Sequence, residues 1–155
     1  GRKKTQIGEI RVSIGPGSFT GLRIGISTAL GLTAALKTEL FGVPVLSAIY
    51  ETFGNGELAV AAVPLGKRDV CLQPFSGNGL IGGTITALPA AAVSPGELAV
   101  LAKILIMHPS LAERLPREVV DNLHVVETDE NLAELIGRSS FISPGVEPIY
   151  VSAER

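Results

Sequence analysis

Apolar and polar residues alternate through Ile10-Arg11-Val12-Ser13-Ile14. That is strand periodicity, and a strand is predicted over 7–14. Past a Gly-rich junction, Leu22, Ile26, Ala29, Leu30 and Leu36 recur at helical spacing. Thr20 is a good N-cap, so the predicted helix runs over 20–36. Arg23 is its only charge before Lys37, and its small residues include Gly21, Gly25, Thr28 and Thr33. A helix with so little polar face is normally buried on more than one side. One domain of this size leaves a partner as a way to cover the second side.

The pattern then predicts a short strand over 40–46 and a helix over 47–53, capped by Ser47 and ended by Gly54-Asn55-Gly56. The apolar run 57–65 suits a sheet interior. Turns at Gly66-Lys67-Arg68 and Ser76-Gly77-Asn78-Gly79 separate it from strands over 69–75 and 80–86, giving an antiparallel meander. Ser94-Pro95-Gly96-Glu97 reads as a capping box with Pro at the first helical position, so a helix is predicted over 95–107. A short helix over 111–115, a strand over 123–126, a helix over 128–136 capped by Thr128 and stopped by Gly137, and an extended end over 148–151 complete the chain. There is no internal repeat and no domain-length linker.

Composition narrows the function classes. The 155 residues suffice for a compact core, with 46% hydrophobic and 18% charged residues. Thirteen basic against 15 acidic residues leave a net charge of −2, so no overall basic field draws in nucleic acid. The basic clusters Arg2-Lys3-Lys4 and Lys67-Arg68 read as a solvated end and a solvated turn. Aromatic residues are only 5% of the chain, and no base-stacking platform is visible. Cys71 is the sole cysteine, which excludes an intrachain disulfide and fits a reducing compartment. No unbroken apolar run reaches the ~18 residues of a membrane span, and no signal-peptide pattern opens the sequence. The start, Gly1 before Arg2-Lys3-Lys4, reads as a truncation or a processed end.

The junction Gly15-Pro16-Gly17-Ser18-Phe19-Thr20-Gly21-Leu22-Arg23-Ile24-Gly25 holds the candidate chemistry. Gly15, Gly17, Ser18 and Thr20 could present backbone N–H groups to an anion or nucleotide, with Arg23 adding charge. Gly21-Leu22-Arg23 stands where a Walker loop has Gly-Lys-Ser/Thr, and Thr20 where a dinucleotide fingerprint has its third Gly. The other reading is a tight turn feeding a closely packed helix. His108, His124 and Cys71 are scattered without ligand spacing, so no metal and no cofactor are expected. No Gly-x-Ser-x-Gly elbow occurs. The pair Asp129-Glu130 falls in a predicted first helical turn, where it favours the helix dipole.

The same junction, continuing as Ile26-Ser27-Thr28-Ala29-Leu30-Gly31-Leu32, resembles the TsaB (YeaZ) family. Phe41-Gly42-Val43-Pro44-Val45-Leu46-Ser47 and Pro148-Ile149-Tyr150-Val151 follow in the family's order, so the resemblance spans about 7–151. It implies an α/β, ribonuclease-H-like and actin-like (ASKHA) fold, here incomplete at the N-terminus. The first subdomain would cover 1–53 and the second 54–155. It also implies a non-catalytic, cytoplasmic subunit of the bacterial tRNA threonylcarbamoyladenosine complex. Such a subunit pairs with a TsaD-like catalytic subunit, is joined by a TsaE-like ATPase and meets tRNA only through the complex. A homodimer is the other arrangement. Gly21, Leu22, Arg23, Gly25, Ile26 and Ala29 would supply the helical interface.

TsaD itself carries a similar junction and then a His-x-x-x-His metal pair; the corresponding positions here are Val45 and Ile49, which cannot ligate a metal. The alternative is an ATPase or transferase of the same fold with its own nucleotide site. The chain departs from the family in three places. A first Asp-Thr-Ser strand and its hairpin, ~50 residues on the scale of a subdomain, are expected to be missing. Pro64-Leu65-Gly66-Lys67-Arg68-Asp69-Val70-Cys71 replaces Asp-Ala-Arg-x-Gly-Glu-Val-Tyr, and Tyr150-Val151-Ser152 replaces Tyr-Leu-Arg.

Overall fold

The structure is a computed structural model and describes residues 7–76, 83–128 and 131–152. Its first unit is strand β1 (Glu9–Gly15), helix α1 (Phe19–Leu36) and strand β2 (Glu39–Pro44). β1 and β2 pair in parallel from Glu9↔Glu39 to Ser13↔Val43, with a register shift before Gly15↔Pro44. A parallel pair needs a crossover, and α1 supplies it. The N-cap of α1 is Ser18, not Thr20: its Oγ accepts from the Gly21 N–H at 3.3 Å, which leaves Thr20 inside the first turn. Helix α2 (Val45–Phe53) starts straight after Pro44, two residues before the expected Ser47 cap.

The second unit is a sheet of order β5-β4-β3-β6-β7. Strands β3 (Ala59–Leu65), β4 (Asp69–Phe75) and β5 (Thr86–Pro89) form the expected antiparallel meander. β5 begins where the predicted strand over 80–86 ends; residues 80–82 of that strand, and Gly77 to Gly79 of the turn before it, lie outside the described residues. Helix α3 (Pro95–Leu101) stops short, and Ile104–Met107 is strand β6, parallel to β3. This corrects the helix predicted over 95–107. Leu105, Ile106 and Met107 are fully buried on both faces of the sheet, a demand that the pattern of a short apolar run cannot reveal. Nor does the Ser94 side chain cap α3.

The short helix expected over 111–115 is replaced by a 3₁₀ turn at Pro109–Leu111 and helix α4 (Arg117–Asn122). β7 (His124–Glu127) pairs in parallel with β6. Helix α5 (Leu132–Arg138) is capped by Asn131, whose Oδ1 accepts from the Ala133 N–H at 2.9 Å. Thr128 is therefore not its cap, and Gly137 sits inside its last turn. Asp129 and Glu130 lie outside the described residues.

Both faces of this sheet are buried, as its parallel pairs require. Val43, Leu46, Ile49, Ala61, Phe75, Ile106 and Leu135 form one core layer with α2 and α5. Val60, Ala62, Val70, Leu105, Met107, Leu111 and Val119 form the other with α3 and α4. The buried Tyr50 ring stacks on Phe75 at 4.6 Å, and its hydroxyl donates to the carbonyls of Glu57 (2.7 Å) and Ser76 (3.0 Å). That satisfies the phenol in a site where an unpaired hydroxyl would cost about 1–3 kcal/mol.

After α5 the chain turns back across the first unit. Gly42 and Ser143 exchange backbone hydrogen bonds at 2.9 and 2.8 Å, and the Ile149 N–H donates to the Ile14 carbonyl at 2.7 Å. At Gly42 an added Cβ would stand 2.5 Å from the Gly145 carbonyl and 2.6 Å from Ile14 Cγ2. Gly42→Ala is therefore expected to lower the unfolding free energy by about 2–3 kcal/mol through overpacking. Urea titration measures it; a loss below about 0.5 kcal/mol would mean that the crossing is not this close.

Candidate functional site

The site is built on the β1–α1 junction. Gly15 has φ +100°, and a Cβ there would meet the Ile149 carbonyl and Leu22 Cδ1, each at 2.9 Å. Only glycine suits both that dihedral and that crowding. The Gly15–Pro16 peptide is cis. Of the four anion candidates, Gly15 is buried under the returning chain, Gly17 is half-buried, and Ser18 and Thr20 are exposed. Ser18 Oγ is engaged as the helix cap.

The structure divides the six candidate interface residues. Leu22, Ile26 and Ala29 are buried on the side of α1 that packs against β1. Gly21 and Arg23 are exposed, and Gly25 is half-buried, its absent Cβ 3.9 Å from Val12 Cγ2. The outward surface instead carries Ile24 (63% exposed), Leu30 and Leu32 (49% each), between exposed Gly31, Ala34 and Ala35. The helical spacing groups Leu30 with Leu22, Ile26 and Ala29, but the structure leaves it exposed, and Ile24 and Leu32 stand outside that pattern. Ile24 lies about half a turn from Leu22, Ile26 and Ala29, while Leu30 and Leu32 border the buried side, one on each edge. Among the described residues α1 also reaches membrane-spanning length and composition, with 18 residues and mean hydropathy 1.3, although no single apolar run announces it.

At the start of α1, Phe19 and Tyr150 rings meet at 4.9 Å between centroids, and the Arg23 guanidinium lies 5.3 Å from the Phe19 ring centre. These rings form one wall of an open groove of about 620 Å³. Leu65, Gly66 and Asp69, from the β3–β4 turn, form the other.

No cluster of three His, Cys, Asp or Glu occurs among the described residues. Val45 and Ile49 are buried in the core on α2. His108 Nδ1 accepts from the Ser110 N–H at 3.2 Å, closing a turn. Cys71 is buried; desolvation, and then the Asp69 charge, push its thiol up to about 11, which keeps it protonated and unreactive at neutral pH.

Two charged side chains fix the end of α5 beside this unit. Arg11 Nη1 donates to the carbonyls of Gly137 (3.1 Å) and Ser139 (2.7 Å), a cation at a helix C-terminus. Glu51 accepts from Ser139 Oγ at 2.7 Å and from the Ser140 N–H at 2.9 Å. Burial raises the Glu51 carboxyl, but the hydrogen bonds from Ser140, Ser139 and the Phe141 backbone outweigh it and hold the group below its usual value.

Residues 1–65 match the family model described as TsaD, tRNA N6-adenosine threonylcarbamoyltransferase. YeaZ from Pseudomonas aeruginosa superposes with a TM-score of 0.61 at 22% identity, over 96% of this chain and 76% of that one. The chain has the fold of YeaZ. An uncharacterized protein with similarity to peptidase YEAZ, from the same organism, gives a TM-score of 0.59 at 22% identity, over 97% and 76% of the two chains. No curated protein matches the sequence. The YeaZ-like fold is the α/β, ASKHA-like architecture expected from the junction motif.

The Glu51 contacts predict a pH signature. A depressed carboxyl stabilises the fold above its unfolded value, near 4.5, and that contribution disappears as pH falls through the lower folded value. The stability difference between wild type and Glu51→Gln is therefore expected to be constant at neutral pH and to shrink on acidification below about 4.5. Denaturant melts across this range measure it; a gap that persists to the lowest pH would exclude the carboxylate as the cause.

Proposed function

We propose that this chain is a non-catalytic, TsaB-type subunit of a tRNA threonylcarbamoyladenosine-forming assembly, and that it pairs with a TsaD-like catalytic subunit. One observation carries the reading. α1 lies within the 65-residue TsaD-like segment and exposes Ile24, Leu30 and Leu32 along a side that nothing in the chain covers among the described residues. An exposed helix surface with Ile24, Gly31 and Ala35 along its centre and Leu30 and Leu32 at its two edges suits close helix–helix packing. Leu22, Ile26 and Ala29 then serve the interface indirectly, by fixing α1 on β1, while Gly21, Arg23 and Gly25 border it.

The non-catalytic part of the proposal has its own support. Val45 and Ile49, where the TsaD resemblance would have a metal-binding His pair, are core residues here. A TsaE-like ATPase and tRNA belong to the same assembly, in the cytoplasm. The division into subdomains over 1–53 and 54–155 is part of this reading, with α5 and the returning chain joining the two.

Ile24→Arg is expected to leave the fold intact, because the side chain is exposed, and to weaken retention of the TsaD-like subunit at least about tenfold, the scale of an interface anchor. Co-purification of the two tagged subunits provides the readout. Retention equal to wild type would remove α1 as the contact.

A further inference from the structure

We infer that the cleft between α3 and the β4–β5 hairpin binds a small amine, a ligand with a compact apolar body of about benzene size and one ammonium group. None of the lining residues belongs to α1 or to the junction before it, so the site stands independently of the pairing argued above.

Two periodicities build the cleft. Leu72 and Pro74 are two apart on β4, Thr86 and Leu88 are two apart on β5, and Leu72 pairs with Thr86. The four side chains therefore share one face of the sheet, the face that α3 covers. Ser94, Glu97, Leu98 and Leu101 recur at three- and four-residue spacing, which turns one side of α3 toward them. Leu72, Val93 and Leu98 are buried, while Thr86, Glu97 and Leu101 are exposed. The cleft thus runs from an open mouth to an apolar floor.

Size and lining limit the ligand. The space is about 130 Å³, close to the roughly 150 Å³ of an apolar cavity that takes up benzene. Water on the Leu72, Val93 and Leu98 floor meets no side-chain hydrogen-bonding group, so an apolar body gains by displacing it.

The mouth sets the charge. Ser94-Pro95-Gly96-Glu97 has the spacing of a capping box, yet the Ser94 side chain caps nothing. Among the described residues neither Ser94 nor Glu97 has a hydrogen-bonded or charged side-chain partner. Both line the cleft instead, and Glu97 is the sole charged residue among the lining residues. An ammonium group donates to a carboxylate and to a hydroxyl at once, which matches this pair. A ligand carboxylate would meet Glu97 as a like charge.

The probes are benzylamine, benzyl alcohol and benzoate, one ring bearing a cationic, neutral or anionic group. Each is titrated into the isotope-labelled whole chain and followed by amide NMR shifts. Benzylamine is expected to move the amides of Thr86, Leu88 and Glu97 to Leu101 with a Kd of about 1 mM, the scale for so small a ligand. Benzyl alcohol should bind about 2- to 5-fold more weakly, the worth of an exposed ion pair, and benzoate more weakly still. Glu97→Gln should bring benzylamine down to benzyl alcohol and leave the alcohol unchanged. Thr86→Trp, at an exposed strand position, should fill the mouth and weaken all three at least about tenfold.

Unmoved amides at about 10 mM benzylamine would overturn the proposal. So would equal affinity for benzoate, a preference for benzylamine that survives Glu97→Gln, or undiminished binding by Thr86→Trp. The Ile24→Arg result bears on the pairing alone and leaves this cleft untouched.

Discussion

The path of the chain after α5 depends on two backbone contacts that admit no side chain. Gly42 lies against Gly145, and Gly15 lies against Ile149. Both contacts belong to one crossing, held by hydrogen bonds from Gly42 to Ser143 and from Ile149 to Ile14. Among the described residues β1 and β2 form a two-stranded sheet, and a two-stranded unit has little stability of its own. The crossing, together with α2 and α5, ties that small unit to the larger sheet. Arg11 and Glu51 act at the start of the crossing: the guanidinium meets the last carbonyls of α5, and the carboxylate accepts from the Ser139 hydroxyl and the Ser140 N–H just beyond it. Arg11 complements the negative end of the α5 dipole, and Glu51 is held by charge-assisted hydrogen bonds.

That constraint sets what the rest of the molecule can present. With the crossing in place, the turn before α1 is held between Leu22 and Ile149, and Tyr150 lands on Phe19. The inner side of α1 is thereby fixed on β1, and its outer side is left as a surface. An interface helix with one anchored side binds with little ordering cost, because the side chains that contact a partner stand on a backbone already held. The groove and the apolar side are separate features of one helix: the groove lies at its start, the apolar side along its length.

Much of the fold was legible because it rests on local pattern. Alternation marked β1, helical spacing marked α1, and the Gly-Lys-Arg turn marked the β3–β4 hairpin. The failures share one physical cause. Ile104-Leu105-Ile106-Met107 is apolar throughout, so period could not separate helix from strand, and pairing with β3 decided it. Ser18 and Thr20 can both cap, and the backbone at Ser18 chose between them. An all-apolar helix does not say which side faces in, so Leu22 and Ile24 look equivalent until β1 is placed. The meeting of Phe19 with Tyr150 was illegible for the same reason, since it depends on the whole course of the chain.

The two positions on α2 give the scaffold reading its physical sense. Val45 and Ile49 lie one turn apart on the same helix face, and both pack into the layer beneath the large sheet. A histidine pair at that spacing would have to place polar rings in the same buried apolar cluster. Burying such groups without partners costs about 1–3 kcal/mol each, whereas burying Val or Ile side chains contributes about 1.5–3 kcal/mol each. Metal ligation and core packing thus compete for the same two side chains, and this sequence commits them to the core. A chain that spends its second helix on packing is suited to holding α1 rigid for a partner.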